Sequence, residues 1–257
     1  VLKGIDVSSA QGKVQWDKLG PIGLRFCFIK SAEKDYPVDT TFAANVAGAR
    51  AAGLVVGTYM VPHPIPSLDP KEQAQRHCSL SGALGAKSGD LPPVADLEVP
   101  APQDWAKYGC SAGQIRAWLL AYLAEVEALW GVAPLVYSYP YWLQAIGVAS
   151  EPEFARYGLW MADYSRFPKS WPTDGSSPVI PKPWASWTFW QHAGGTAMNL
   201  PGGGPVDTSV FNGDATALQA LCARPTPTSS LIPLVQTAID TTANENPPEP
   251  DDLPPAA

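Results

Sequence analysis

The sequence predicts an α/β fold, a modified TIM-like barrel of about five β-α units followed by three strands with few helices. Through residue 146, runs of β-branched and aromatic residues alternate with helical stretches, the signature of parallel strands joined by crossover helices. Beyond that point strand-like runs continue, but Pro-, Gly- and Ser-rich loops separate them. The strand total of eight closes a small barrel whose interior is filled by side chains. The rival is an open doubly wound sheet, which is weakened because no Gly-x-Gly-x-x-Gly loop follows the first strand.

The elements follow in order. Residues 3–7, 25–31, 54–59, 93–99 and 135–138 read as the first five strands. A helix over 41–52 stops at Gly53, and another opens Asp69-Pro70-Lys71-Glu72, which supplies an N-cap, a first-turn proline and a capping-box acid. The longest helix, 111–130, opens on Ser111 with Gln114 three residues on. It carries Ile115, Trp118, Leu119, Tyr122, Leu123, Val126, Leu129 and Trp130 at helical spacing. A short helix near 141–146 precedes strands at 158–162, 186–192 and 205–209, and a last helix spans 214–221.

This gives one barrel domain, residues 1–222, and a Pro-rich acidic tail or linker, 223–257. The tail holds eight of the 28 prolines and five acids against one arginine, a composition that does not offset ordering entropy. Its run Leu231-Ile232-Pro233-Leu234-Val235 is a candidate for docking on the domain. The whole chain carries 17 Lys and Arg against 24 Asp and Glu, net −7, which argues against a nucleic-acid partner. No apolar run is long enough to span a membrane. The chain starts Val-Leu-Lys without a Met or leader, as expected of a processed or trimmed start. Cys27, Cys78, Cys110 and Cys222 and the three histidines make no zinc-type spacing, so no metal or other cofactor is expected. Cys27 reads as a buried thiol, whereas Cys78 and Cys110 either pair in an oxidising compartment or stay free.

The segment Val94-Ala95-Asp96-Leu97-Glu98 carries the chemistry. Carboxyls at i and i+2 on a strand share a face, about 6.6 Å apart along the backbone, and close acids push each other's proton affinities apart. An isolated Asp-x-Glu is more often two solvated loop acids. Asp6 ends the first strand, and Asp207 lies in the last, Val206-Asp207-Thr208-Ser209. Either acid has a turn-forming alternative. In a closed barrel the first and last strands are neighbours, so Asp6 and Asp207 are expected side by side, facing Asp96 and Glu98.

With Gly4-Ile5-Asp6-Val7-Ser8-Ser9-Ala10-Gln11-Gly12, Phe28-Ile29-Lys30-Ser31-Ala32-Glu33, Gly57-Thr58-Tyr59, Asp96-Leu97-Glu98, Tyr137-Ser138, Leu159 to Tyr164, Trp190-Gln191 and Val206-Asp207, the chain resembles glycoside hydrolase family 25, the Chalaropsis-type lysozymes. The resemblance spans about 210 residues in family order. It implies hydrolysis of the β-1,4 bond between N-acetylmuramic acid and N-acetylglucosamine in peptidoglycan, with retention and with help from the substrate's own acetamido group. Glu98 matches the general acid, Asp96 the acid that orients the acetamido group, and Asp6 and Asp207 the remaining cleft acids. Tyr59, Tyr137, Trp160 and Trp190 match aromatic cleft positions, although Trp160 and Trp190 fit a core role equally. Glu33 either binds substrate or ties a loop to Lys30, and the supporting role is preferred. His63 and His192 read as surface residues. Two departures, Tyr59-Met60-Val61 for Tyr-His-Phe and Asp207-Thr208-Ser209 for Asp-x-Asn, bear on saccharide contacts and on the anchoring of Asp207. The implied partner is the glycan strand, met by a monomer that is either secreted or released from a host cytoplasm as a phage endolysin. A chitin-type glycosidase or a wall-binding protein without turnover are the alternatives.

Overall fold

The computed structural model describes residues 1–84, 89–167 and 170–222. The expected tail, with its candidate docking run, lies outside the described residues. Strands β1 (Leu2–Val7), β2 (Leu24–Glu33), β3 (Val55–Val61), β4 (Val94–Asp96), β5 (Leu135–Ser138), β6 (Gly158–Ala162), β7 (Phe189–Asn199) and β8 (Pro205–Phe211) close into a barrel in chain order. Neighbours are parallel from β1 to β7, whereas β8 runs antiparallel to both β7 and β1. Only five residues separate β7 from β8, too few for a parallel crossover, so the chain folds back as a hairpin. The Leu200 N–H closes this turn on the Gly204 carbonyl at 3.1 Å.

Helices α1 (Phe42–Ala51), α2 (Pro70–Leu80), α3 (Ala112–Trp130) and α4 (Pro140–Ala145) follow β2, β3, β4 and β5, and α5 (Ala215–Cys222) follows β8. Their ends form where local chemistry dictates. Asp69 accepts from the Lys71 and Glu72 N–H groups, Ser111 and Gln114 cap α3 reciprocally, and Gly131 ends it at φ 69°. The apolar face of α3 packs Ile115, Leu119, Tyr122 and Val126 against the outer surface of the sheet.

Inside the barrel, Phe26, Phe28, Trp160, Phe189 and Phe211 form an aromatic plug at the end where the parallel strands begin. Phe28 stacks on Trp160 with ring centres 4.4 Å apart, and Phe189 meets Phe26 at 4.9 Å and Phe211 at 5.1 Å. Gly4 makes this possible, since a Cβ there would stand 2.3 Å from the Phe26 ring. Leu218 and Cys222 of α5 seal the plug from below.

Several strand ends shift by one or two residues from the sequence reading, and β4 and β7 differ most, β7 starting at Phe189 rather than at 186. β4 ends at Asp96 rather than at residue 99, and β7 runs on to Asn199 through an irregular register after Gln191. Cys78 and Cys110 are both free thiols, not a disulfide. Among the described residues no helix is long and apolar enough to cross a membrane.

Candidate active site

Four carboxyls gather where the parallel strands end. Asp6 lies directly across from Asp207 in the β1–β8 register. The reversed direction of β8 explains this, because it brings the start of that strand, not its end, to the mouth. Asp96 closes β4, and the Leu97 N–H still bonds the Tyr137 carbonyl at 2.8 Å, keeping the chain extended for one more residue. Leu97 thereby points into the outer layer, and Asp96 and Glu98 turn the same way into one recess, where Glu98 acts on Asp96 as a like charge. Asp6 does not serve its local turn. Ser8 and Gln11 do so, with the Ser8 N–H on Gln11 Oε1 at 2.8 Å and the Ala10 N–H on Ser8 Oγ at 3.2 Å.

Gln191 joins the acids from the β7 side. Its Nε2 donates to Asp6 Oδ2 at 2.9 Å and to Asp207 Oδ2 at 3.3 Å, while its Oε1 accepts from the hydroxyls of Tyr137 at 2.7 Å and Tyr164 at 2.6 Å. Asp207 also accepts from the Gly195 N–H. Gly195 adopts φ 51° within the irregular stretch of β7, a left-handed conformation suited to glycine that aims its N–H at the carboxylate. Asp207 is anchored in this way in a chain that lacks the Asn of the Asp-x-Asn pattern. Ser209, at the Asn position, instead accepts from Trp160 Nε1 at 3.1 Å.

Burial raises the proton affinity of all four acids above the ordinary carboxylate range. Like charge adds to it, Asp207 acting on Asp6 and Glu98 on Asp96. Lys30 opposes this at Asp96 and Glu98. Glu33 behaves otherwise: partial burial pushes it up, but Lys30 Nζ at 2.8 Å and His63 Nε2 at 3.1 Å hold it below its usual value. The expected tie between Glu33 and Lys30 is therefore present.

Above these acids opens a recess of about 370 Å³ whose walls include Lys30, Glu33, Tyr59, Asp96, Glu98 and Tyr139. Tyr137 is buried beside it, and Trp160 forms the floor below as part of the plug. Trp190 takes the core alternative. Neighbours on a strand face opposite ways, so Gln191 in the mouth sends Trp190 outward, where it is fully buried against Phe167 and Trp187. The two histidines are corrections. His192 is buried with Nδ1 on the Phe167 carbonyl at 2.9 Å, and His63 is half-buried against Glu33, so neither is a surface residue. Gln191, Tyr164, Tyr139 and Gly195 carry geometry that the sequence reading did not assign. Trp190-Gln191 and the stretch ending in Tyr164 were among its matching segments, but an uncharged amide gives no signal in a search for acids.

The comparisons with known proteins give the family. The family model described as glycosyl hydrolases family 25 matches residues 5–201. Lysozyme M1 of Streptomyces globisporus is 31% identical over 222 residues, covering 86% of this chain and 71% of its own. The N,O-diacetylmuramidase of Arthroderma benhamiae is 29% identical, covering 85% of each chain. The crystal structure of the bacterial lysozyme from Streptomyces coelicolor superposes with a TM-score of 0.72 at 30% identity, covering 86% of this chain and 96% of the other. With the barrel, its acidic mouth and a family match over most of its length, this chain belongs to glycosyl hydrolases family 25 and is a glycoside hydrolase.

Proposed function

We propose that this enzyme is a muramidase, cleaving the β-1,4 bond between N-acetylmuramic acid and N-acetylglucosamine in peptidoglycan with retention of configuration. The names of its relatives, lysozyme and N,O-diacetylmuramidase, support the substrate class. The grouping of Asp96 and Glu98 with Asp6 and Asp207 at one barrel mouth carries the mechanistic reading. In this reading the nucleophile is the substrate's own 2-acetamido oxygen.

Glu98 gives its proton to the glycosidic oxygen as that oxygen leaves C1, and the acetamido oxygen closes on C1 from the opposite face. Asp96 accepts from the acetamido N–H and stabilises the cation formed. Glu98, now a carboxylate, takes a proton from water as the water opens the ring at C1, which restores the acid and retains the configuration. Asp6 and Asp207 keep the mouth acidic and position sugar or water, and the rings of Tyr59 and Tyr139 offer apolar faces to the saccharide. The enzyme works as a single chain at the cell wall, after secretion or phage-driven release, and without a cofactor.

Purified peptidoglycan is digested, reduced and analysed by mass spectrometry, with Glu98→Gln as control. Fragments ending in reduced muramic acid, and their loss in the variant, are the expected result. Reduced glucosamine ends, peptide-bond cleavage or an undiminished variant overturn the proposal, and binding without fragments indicates a wall-binding protein.

A further inference from the structure

We infer that Gln191 is a positioning residue of the reaction, a clamp that fixes the spacing and charge of the Asp6–Asp207 pair. The inference rests on the muramidase reading for its kinetic consequences, but not for its geometry. An amide oxygen only accepts, so the hydroxyl hydrogens of Tyr137 and Tyr164, at 2.7 and 2.6 Å from Oε1, both point to it. The amide nitrogen has two hydrogens, and two carboxylates receive them, at 2.9 and 3.3 Å. Reversing the amide would set its oxygen against both carboxylates, which fixes the orientation. Gln191 is 1% exposed, and no solvent competes with these bonds.

Without the clamp, this cross-strand pair of buried acids keeps one strong donor among the described residues, the Gly195 N–H on Asp207. Asp6 then keeps the burial and the repulsion but loses the contact that favours its charged form. The groups facing the pair are Asp96 and Glu98 from the β4 end, the phenols of Tyr59, Tyr137 and Tyr164, and the Cys27 thiol on β2. Burial raises the phenols and the thiol well above the neutral range, so they stay uncharged where the acids titrate. Among these groups Gln191 donates to both members of the pair, and the two tyrosines couple it to β5 and to the chain beyond β6.

The test is carbon-13 titration of the aspartate carboxyls, run beside peptidoglycan kinetics, in the full chain and in Gln191→Leu, Gln191→Asn and Gln191→Glu. In Gln191→Leu the upper apparent pKa of the Asp6–Asp207 pair is expected to rise by about one to two units. Its kcat falls about 10- to 100-fold while KM stays within about twofold. Gln191→Asn is too short to reach both acids and shifts the titration the same way, which keeps the test decisive if the leucine variant does not fold. Gln191→Glu donates only when protonated, so its activity relative to the parent enzyme rises as pH falls. An unchanged pair titration overturns the inference, as does a parallel loss in Gln191→Leu and Gln191→Glu at every pH, which marks a merely structural role. A parent enzyme that releases no muramic-acid ends refutes the muramidase reading alone, since the carboxyl titration still decides the clamp.

Discussion

The two ends of the barrel interior are built from the same strands and differ in kind. At one end Phe26, Phe28, Trp160, Phe189 and Phe211 pack edge and face with no polar atom exposed beyond the Trp160 indole, which is bonded to Ser209. At the other end stand Asp6, Asp96, Asp207 and Glu98, all with raised proton affinities. The first end produces the second. Carboxyls at the mouth of an open channel would be solvated from below, but over a dry aromatic floor they lose that water and bind protons more tightly.

The largest effect belongs to the mouth. Glu98→Gln keeps shape and burial but cannot donate or take back a proton, so kcat is expected to fall by about 10²–10⁴, read from the rate of reducing-end release. Thermal unfolding should move little; a large loss of stability with retained activity would reverse the division of labour. Phe28→Ala tests the floor instead, with an expected cost of about 3–5 kcal/mol in denaturant unfolding. By admitting water it should also bring the Asp6 and Asp96 titrations down toward ordinary carboxylate values. If those titrations do not move, the floor is not the source of the desolvation.

A smaller effect separates charge from shape. Asp6 has a folded-state pKa above its unfolded one, so between about pH 4 and that raised value the folded state binds more protons. In this window stability falls as pH rises, and the penalty is fully present above it. Asp6→Asn should therefore stabilise the protein at neutral pH by about 1 kcal/mol, with the gain vanishing toward pH 4, measured by unfolding across pH. A gain that persists at pH 4 would assign the effect to packing. Smallest is His63→Ala, which removes one partner of a half-exposed Glu33 and should cost under about 1 kcal/mol. Glu33 has a depressed pKa, so its contribution is present above the ordinary carboxylate value and lost as pH falls through the depressed one.

What was legible in the sequence follows the range of the interactions. The helix boundaries at Asp69 and Ser111 and the strand alternation through β6 are set by neighbours within a few residues, and these were readable. So was the adjacency of Asp6 and Asp207, because closure of an eight-strand barrel dictates it. The reversal of β8 was not legible, because β7 was read as ending at 192 and the extra length that leaves only Leu200 to Gly204 as a connection comes from pairing with β8 across an irregular register. The outward turn of Trp190 depends on knowing that its neighbour Gln191 faces inward, and Gln191 finds Asp6 185 residues away. No local pattern encodes that pairing.

The antiparallel seam between β1 and β8 also has a kinetic meaning. It joins the two ends of the barrel chain, the contact of greatest sequence separation and so the slowest to gain, since its loop-closure entropy is offset only once both strands are in place. The mouth acids Asp6 and Asp207 sit on that seam, opposite one another. Activity should therefore appear last in refolding, after the tryptophan fluorescence of the plug has recovered, and stopped-flow fluorescence beside a double-jump activity assay separates the two. An enzyme caught before that step is then expected to be folded over most of its length and silent.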